Sequence, residues 1–291
     1  MSWYNRWYQY GILLFLALIW GSSFILMKIG LRSFTSTQAA CIRISLASLA
    51  LLPYSINNLK RLKRSDIKYL LVAGFFGSFI PAFLFMKAET RIDSAIAGIL
   101  NSLTPVFTLI VGLLFLSIKT RFVQIAGIFI GLLGALGLIS SGDSISIGNI
   151  NSYAFFIIAA TICYAININT VKTYLTHLKG VEITSLSFMF IGPVAILYLF
   201  TTDFEPVVTS ENWGIHLSAL AFLGIICTAF AMILMNSLIR YTSAVFASSV
   251  TYIIPIFALI WGLWDGEVIS WMHLSFMLMI LAGVYLINQN N

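Results

Sequence analysis

The sequence contains few charged residues for its length. Of its 291 residues only 9 % are Asp, Glu, Lys or Arg, whereas 60 % are hydrophobic, and the mean hydropathy is +0.98. A soluble domain carries about 25 % charged residues, so this composition excludes a water-soluble enzyme. Because one membrane crossing needs roughly 20 apolar residues, the length accommodates about ten crossings. We therefore expect an integral membrane protein embedded in the lipid bilayer.

Cysteine is also scarce, and acidic residues are missing from the middle of the apolar segments. The three cysteines, Cys41, Cys163 and Cys227, lie far apart among apolar residues, which fits neither a disulfide framework nor a metal site. No nucleophile and base or phosphate-binding loop occurs at a useful spacing, so we expect no enzyme activity, cofactor or metal. All ten Asp and Glu residues fall at predicted helix ends or in loops. Facilitated diffusion or exchange is therefore favoured over a mechanism based on a mid-membrane carboxylate.

Apolar runs separated by short polar stretches predict ten transmembrane helices. Their expected bounds are Tyr10–Leu31, Thr37–Leu52, Ile67–Ala88, Ser94–Leu116, Phe122–Ile139, Tyr153–Tyr174, Thr184–Phe200, Trp213–Leu238, Ser243–Trp264 and Trp271–Ile287.

Basic residues are distributed unequally between alternate loops. The side that carries both chain ends has eleven: Arg6, Lys60, Arg61, Lys63, Arg64, Lys68, Lys119, Arg121, Lys172, Lys179 and Arg240. The other side has three: Arg32, Lys87 and Arg91. Cytoplasmic loops of membrane proteins carry an excess of Lys and Arg, so both termini are predicted to be cytosolic. This topology also accounts for the net charge of +6 without a nucleic-acid partner.

The two halves of the sequence repeat each other. An offset of 150 residues aligns Pro105 with Pro255, and an offset of 144 in the opening helices aligns Lys28 with Lys172. Each half has five helices, an odd number, so the second copy must be inverted in the membrane relative to the first. We therefore predict an all-α membrane protein in which two inverted five-helix repeats, residues 1–143 and 144–291, surround a central cavity.

Loop charges test the inversion independently of the alignment. The basic loop at Lys60–Arg64 corresponds to an acidic loop with Asp203, Glu205 and Glu211. Equivalent loops of an inverted pair face opposite compartments, so this reversal of sign is the expected pattern.

Two basic residues lie within predicted helices, where a charge costs roughly 2.5–3.5 kcal/mol. Lys28 is within one turn of a helix end, so its ammonium either snorkels to the lipid headgroups or faces a cavity. Arg43 lies about two turns inside the second helix, where snorkelling is difficult. We expect Arg43 to face the protein interior, paired with helix carbonyls, a carboxylate such as Glu89, or the substrate.

Prolines predict bends in three helices. Pro105 and Pro255 occupy equivalent positions in the two repeats, and Pro81 lies in the third helix. Each proline removes a backbone hydrogen bond and frees a carbonyl. Paired bends in inverted halves indicate hinges around a binding site at the repeat interface, with simple helix packing as the alternative explanation.

Polar and aromatic residues of the same helices are the candidate substrate-binding residues. The predicted set comprises Trp20, Ser23, Lys28, Arg43, Phe79, Phe83, Asn101, Tyr164, Asn167, Ser248, Thr251 and Tyr252. Asn167 and Asn169 point to nearly opposite sides of one helix, so at most one of them can face the cavity. Gly127 and Gly131 form a small-xxx-small pair that lets another helix approach closely, either within the bundle or in a homodimer.

These residues resemble the EamA-type branch of the drug/metabolite transporter superfamily, and the resemblance covers essentially the whole chain. It rests on Trp20-Gly21-Ser22-Ser23-Phe24 followed by Lys28, on Thr104-Pro105 and Ile254-Pro255, and on Gly266-Glu267. The first repeat has Ser117-Ile118 where the family usually shows Gly-Glu. This departure favours a structural or topological role for Glu267 over a role in transport.

The resemblance implies a cavity lined mainly by helices 1, 3, 4, 6, 8 and 9, buttressed by helices 5 and 10. It implies a secondary transporter of the bacterial inner membrane that works by alternating access. A cavity rich in Trp, Phe, Tyr, Ser and Asn suits a small zwitterionic substrate, so export of amino acids or similar metabolites is expected. Two alternatives stay open: uptake or exchange of small organic anions, favoured if Arg43 and Lys28 both reach the cavity, and a non-transporting membrane scaffold or receptor.

Overall fold

The computed structural model describes residues 5–116, 120–140 and 152–288. Within these ranges, nine helices are long and apolar enough to cross a membrane, and a tenth apolar helix is shorter. They are α1 (Arg6–Gly30), α2 (Ser36–Arg61), α3 (Ile67–Ala88), α4 (Ser94–Leu116), α5 (Phe122–Ser140), α6 (Ala154–Tyr174), α7 (Gly180–Leu199), α8 (Trp213–Tyr241), α9 (Ala244–Trp264) and α10 (Trp271–Asn288). A short helix, Glu205–Val208, lies between α7 and α8.

The predicted helices agree with the structure to within four residues at each end, except at the C-terminal end of α2. The second helix continues to Arg61 instead of ending at Leu52, because Pro53 is accommodated inside it. The seventh begins at Gly180, earlier than the predicted Thr184, and contains Pro193. A proline therefore does not end either helix, in contrast to its usual effect in soluble proteins.

The two five-helix halves are interleaved. The first helix of each half packs on the third and fourth helices of the other half: α1 contacts α8 and α9, and α6 contacts α3 and α4. The second helices, α2 and α7, pack against each other, as do the fifth helices, α5 and α10. This exchange of first helices encloses a space between the halves, as expected for an inverted repeat.

The glycines Gly127 and Gly134 of α5 pack against α10 inside the bundle. A Cβ atom added to Gly127 would lie 2.5 Å from the carbonyl oxygen of Gly283 in α10, and one added to Gly134 would lie 3.0 Å from the backbone nitrogen of Ile280. Small residues at these positions let the two backbones approach. Because α10 covers Gly127, a homodimer would need a different surface.

Irregular segments recur in the two halves. The α3 helix contains a π-helical segment at Phe75–Phe79, and α8 contains one at Ile225–Phe230, directly after the aligned glycines Gly74 and Gly224. The α4 helix is interrupted at residues 102–103, and α9 has a 3-10 segment at Ser249–Tyr252. The irregular segments therefore follow the repeat, and only the π-helical segment of α8 has no proline near it in sequence.

Ten helices that each cross the membrane once would place both described chain ends on one membrane face. We call this side the terminal face, and the opposite side, with loops 31–35, 89–93, 200–212 and 265–270, the distal face. The predicted repeat boundary at residues 143 and 144, the Ser117-Ile118 pair, Lys119 and Asn291 lie outside the described residues.

Candidate functional site

A cavity lies between the two halves, in the middle of the bundle. The space inside it that a water-sized molecule can enter is about 70 Å³. Its walls come from α1, α3, α4, α6, α8 and α9, together with one residue of α2. Eight of the predicted substrate-binding residues line it: Trp20, Ser23, Arg43, Asn101, Tyr164, Asn167, Ser248 and Thr251.

The other four predicted residues lie outside this lining. Phe79 and Phe83 form an aromatic row with Tyr198, with ring centroids 5.0 and 6.0 Å apart. The hydroxyl of Tyr252 donates to the carbonyl of Val284 in α10, at 2.7 Å. Lys28 forms ion pairs on the distal face. A helix presents only part of its surface to the cavity, so proximity along the sequence to a bend does not determine which residues line it.

Arg43 is the α2 residue that reaches the cavity. Its side chain is buried, with a residue exposure of 8 %, which confirms that it faces the protein interior. Its Nε donates to the hydroxyl of Thr228 at 2.7 Å, and its Nη1 lies 3.8 Å from the sulfur of Met27. No ion pair to Arg43 occurs among the residues that the structure describes. Glu89, considered above as its partner, instead accepts a hydrogen bond from Ser94 at 3.1 Å.

The π-helical segment of α8 supplies two further contacts at the cavity. The indole Nε1 of Trp20 donates to the carbonyl of Cys227 at 2.8 Å. The neighbouring Thr228 donates to the carbonyl of Leu223 at 2.9 Å while accepting from Arg43. A wide turn exposes backbone groups that a regular α-helix would bond internally. The segment thereby orients one aromatic and one cationic side chain at the cavity wall.

Two asparagines in the cavity wall have acceptor atoms without partners. The side-chain oxygens of Asn101 and Asn167 are buried and make no hydrogen bond. Asn169, by contrast, donates to the carbonyls of Thr108 and Ala165, each at 2.9 Å. The two α6 asparagines therefore differ in role: Asn169 joins helices and Asn167 faces the cavity. An unpaired buried polar atom is costly, which marks both free oxygens as sites for a ligand donor or water.

Pro105 and Pro255 free the carbonyls of Asn101 and Thr251, two residues that line the same cavity. Pro105 removes the amide that would bond to the carbonyl of Asn101, and Thr104 replaces it with a hydroxyl donor at 2.8 Å. Pro255 likewise frees the carbonyl of Thr251, which accepts from the hydroxyl of Ser102 at 2.7 Å. The interruptions thus lie where the prolines predict them, and they contact each other across the repeats. Their hinge function stays a prediction.

The cavity combines one cation with aromatic walls. Phe85 of α3 contacts Phe24 edge-to-face and Tyr164 in a stacked arrangement, with ring centroids 5.9 and 6.0 Å apart. Arg43 is the one charged residue among the described residues that line the cavity. In residues 5–116, 120–140 and 152–288, no three His, Cys, Asp or Glu side chains group as metal ligands. The site can therefore hold an anionic group at Arg43 and apolar groups on the rings.

Several cavity-lining residues were not predicted from the sequence, although the repeat alignment contained a signal for some of them. Gly77 and Ser78 align with Cys227 and Thr228 at the offset of 150, and all four line the cavity. Met232 and Met235 on α8 carry no such signal, because methionine is equally common in a core.

Acidic side chains at helix ends are buried, which was not expected. Asp66, Glu89, Glu182 and Glu267 each have less than a tenth of their surface exposed. They lie at helix ends, as predicted, but loops and neighbouring helices cover them.

Comparison with known proteins agrees with this architecture. The sequence model of the EamA-like transporter family matches the chain twice, over residues 8–140 and 151–289. The chain belongs to the EamA-like transporter family. It is therefore a multi-pass membrane transporter and not an enzyme, and this membership does not favour the scaffold or receptor alternative. As an EamA-like protein it has one match in each half of the chain.

Similar proteins include three full-length relatives. An uncharacterized transporter of Archaeoglobus fulgidus is 26 % identical, with 92 % of this chain and 94 % of the relative covered. The uncharacterized inner membrane transporter YedA of Escherichia coli is 28 % identical, with 95 % and 92 % covered. The probable terminal-alkyne amino-acid exporter of Streptantibioticus cattleyicolor is 23 % identical, with 93 % and 90 % covered. One solved crystal structure superposes with a TM-score of 0.64 at 14 % identity over 95 % of each chain, a likeness of fold.

Proposed function

We propose that this EamA-like protein exports amino acids or similarly small metabolites that carry both a carboxylate and an ammonium group. The observation that carries the proposal is Arg43, a buried guanidinium at the cavity with a hydroxyl partner. A buried charge without a counter-ion is unfavourable, so a solute carboxylate would complete its coordination. The planar guanidinium matches a carboxylate through two parallel hydrogen bonds.

The opposite end of such a solute would meet the two free asparagine oxygens. Asn101 and Asn167 come from different repeats, and their side-chain oxygens lack hydrogen-bond donors. An ammonium group carries three N–H donors and no acceptor. The aromatic side chains of Phe24 and Phe85 would contact the apolar part of the solute. These features support a zwitterion over a neutral solute.

The proposed direction of transport and the proposed membrane location rest on similarity to named relatives and on the distribution of basic residues. The relative from Streptantibioticus cattleyicolor, named a probable amino-acid exporter, supports outward movement of amino acids. The name of YedA supports an inner membrane location, and the excess of basic residues on the terminal face supports cytosolic termini. The helix interruptions before Pro105 and Pro255 would let half-helices move during alternating access.

Exchange of small organic anions is the second candidate, and one observation favours it. The cavity walls, as far as the structure describes them, contain no Asp or Glu to balance Arg43. An anion would therefore neutralise the site more completely than a zwitterion would. The free asparagine oxygens argue against this alternative, because they would repel an additional anionic group.

A matched series of solutes tests the proposal in proteoliposomes. Vesicles are loaded with a radiolabelled amino acid, and exchange is started with the same amino acid, its 2-hydroxy acid or its carboxamide. The hydroxy acid keeps the carboxylate and lacks the ammonium group, whereas the carboxamide keeps the ammonium group and lacks the carboxylate. We expect rapid exchange with the amino acid alone. Equal exchange with the hydroxy acid would establish the anion alternative, and no exchange with any standard amino acid would refute both the substrate class and its binding mode.

A further inference from the structure

A cluster of charged side chains connects the two repeats on the distal face, away from the cavity. Lys28 at the end of α1 lies 2.7 Å from a carboxylate oxygen of Asp265 and 2.8 Å from one of Glu267. Arg32 contacts the other oxygen of Asp265 at 3.2 Å. Two cations of the first repeat therefore face two carboxylates of the second repeat. We call these four residues the distal lock.

Glu267 also connects the lock to the N-terminus of α4. Its two carboxylate oxygens accept the backbone N–H groups of Ser94 and Ala95, at 2.9 and 3.0 Å. These amides open α4 and would otherwise have no partner in the helix. A carboxylate at a helix N-terminus is also favoured by the helix dipole. Glu267 thus joins α1 to the start of α4, and its separation from Lys28 would break this connection between the two helices.

Glu89 lies beside the lock without being part of it. It follows the end of α3 and is 7 % exposed. One of its oxygens accepts from the hydroxyl of Ser94 at 3.1 Å, and the other is buried and has no hydrogen-bond partner. This free oxygen is an acceptor that no described group occupies.

The charged groups around Glu89 come from each neighbouring element. Lys28 of α1, Asp93 before α4 and Glu267 after α9 act on it electrostatically. Arg91 and His273 line the recess outside the lock. Since Lys28 and Arg32 already face Asp265 and Glu267, an ionised Glu89 would add a buried negative charge that these two cations do not balance. Burial, and to a smaller degree the Glu267 carboxylate, raises the pKa of Glu89 well above its ordinary value.

We propose that Glu89 is a proton-binding site that controls the distal lock. A protonated Glu89 leaves Lys28 with Asp265 and Glu267, so the lock stays closed. An ionised Glu89 competes with Glu267 for Lys28, and its proton passes to water of the distal compartment as the lock opens. The closed state binds the proton more tightly than the hydrated open state. Lower pH therefore favours closure, and rising pH favours opening.

The described residues of the terminal face differ from the lock at the equivalent positions. At the offset of 150, Ile239 aligns with Glu89, and the pair Ser117-Ile118 of the first repeat corresponds to Gly266-Glu267. Lys172, which aligns with Lys28, donates instead to the carbonyl of Arg240 at 3.4 Å. Among the described residues, the proton-sensitive lock thus lies on the distal face, which would make opening toward the distal compartment depend on its pH.

Infrared spectroscopy of the purified full-length protein tests the proton site directly. We expect the carbonyl stretching band of a protonated carboxylic acid at neutral pH, its loss in Glu89→Gln, and its retention in Glu182→Gln. Glu182 is the matched control because it is equally buried yet accepts from Arg61 and from the backbone N–H of Lys179. In Glu267→Gln, Lys28 becomes available to Glu89, so the band should titrate at lower pH. A neutral-pH spectrum without the band, or an unchanged band in Glu89→Gln, would overturn the proposal.

Amide hydrogen–deuterium exchange measures how often the distal lock opens. The amides of segment 90–100 include the two that Glu267 accepts, and we expect their exchange, corrected for intrinsic rates, to accelerate with rising pH. In Glu89→Gln this acceleration should disappear. Segment 36–42, at the distal end of α2, is the control because the Thr35 cap holds its start. An identical pH response of segment 90–100 in Glu89→Gln would refute control of the lock. Neither readout depends on the solute, so failure here would leave the proposed function standing.

Discussion

The hydroxyl of Ser102 donates a hydrogen bond of 2.7 Å to the carbonyl of Thr251 and thereby joins the two interrupted helices. Pro255 lies four residues after Thr251 and lacks the amide that would normally bond to this carbonyl. A side chain of the first repeat thus satisfies a backbone group freed in the second repeat. The equivalent carbonyl of Asn101 is satisfied within α4 by Thr104. The two breaks are therefore related by the repeat but are not identical.

Replacing Ser102 with alanine should destabilise the bundle, because the buried carbonyl of Thr251 would lose this donor. We expect a loss of about 1–3 kcal/mol, measured as a lower unfolding temperature in detergent. Ser275→Ala is the control, since the Ser275 hydroxyl donates to a carbonyl of its own helix at an exposed position. Equal unfolding temperatures of the two variants would contradict the coupling of the two breaks.

Pro105→Ala and Pro255→Ala should reduce transport more than they reduce the amount of folded protein in the membrane. Each substitution restores an amide donor, which allows a straighter helix and restricts movement of the half-helices. Flux in proteoliposomes is compared with the monodisperse peak in gel filtration. Pro206→Ala, in the exposed short helix between α7 and α8, should leave both unchanged. Full flux in the double variant would show that the prolines serve packing alone.

Arg43→Lys should abolish most of the flux while the protein remains folded. An ammonium group keeps the charge but cannot reproduce the two parallel hydrogen bonds of a guanidinium. A lost charge-assisted bond of about 1.5–3 kcal/mol corresponds to an affinity roughly ten- to a hundredfold lower. Saturation of initial exchange rates measures this change. The exposed Arg64→Lys is the matched control, and wild-type affinity in Arg43→Lys would remove Arg43 from the binding site.

Gly127→Ala and Gly283→Ala should destabilise the contact between α5 and α10. Added Cβ atoms at these positions would meet backbone atoms within about 2.6 Å, so the helices must move apart. Gly11→Ala is the control, because a Cβ atom there meets nothing within 4 Å. Unfolding temperatures in detergent should fall for the first two variants and stay constant or rise for Gly11→Ala. A fall in Gly11→Ala alone would contradict the packing argument.

A reporter fused after Asn291 should be active only if it functions in the cytosol. Eleven basic residues on the terminal face against three on the distal face predict this orientation. Paired fusions with a cytosolic and a periplasmic reporter measure it. Activity of the periplasmic reporter alone would reverse the topology and place the distal lock in the cytosol.

The repeat and the helices could be predicted from the sequence because both depend on properties that neighbouring residues share. The length of an apolar run sets the number of crossings, and the predicted bounds of α3 and α4 coincide with the observed ones. An odd number of helices per half makes inversion necessary. Pro53 shows the limit of local rules: it lies inside α2, because packing against α7 outweighs the lost backbone hydrogen bond.

The sequence by itself also determined that Arg43 is buried, since a charge two turns inside a helix has no inexpensive exposed position. Only the tertiary structure decided its partner. Thr228 lies 185 residues away, and its approach depends on the rotation of α8 and on the π-helical segment that widens one turn. The same holds for Lys28, which had two expected destinations and pairs instead with two carboxylates of the other repeat. Contacts between distant segments depend on how the helices pack and rotate, and a local sequence pattern does not determine either.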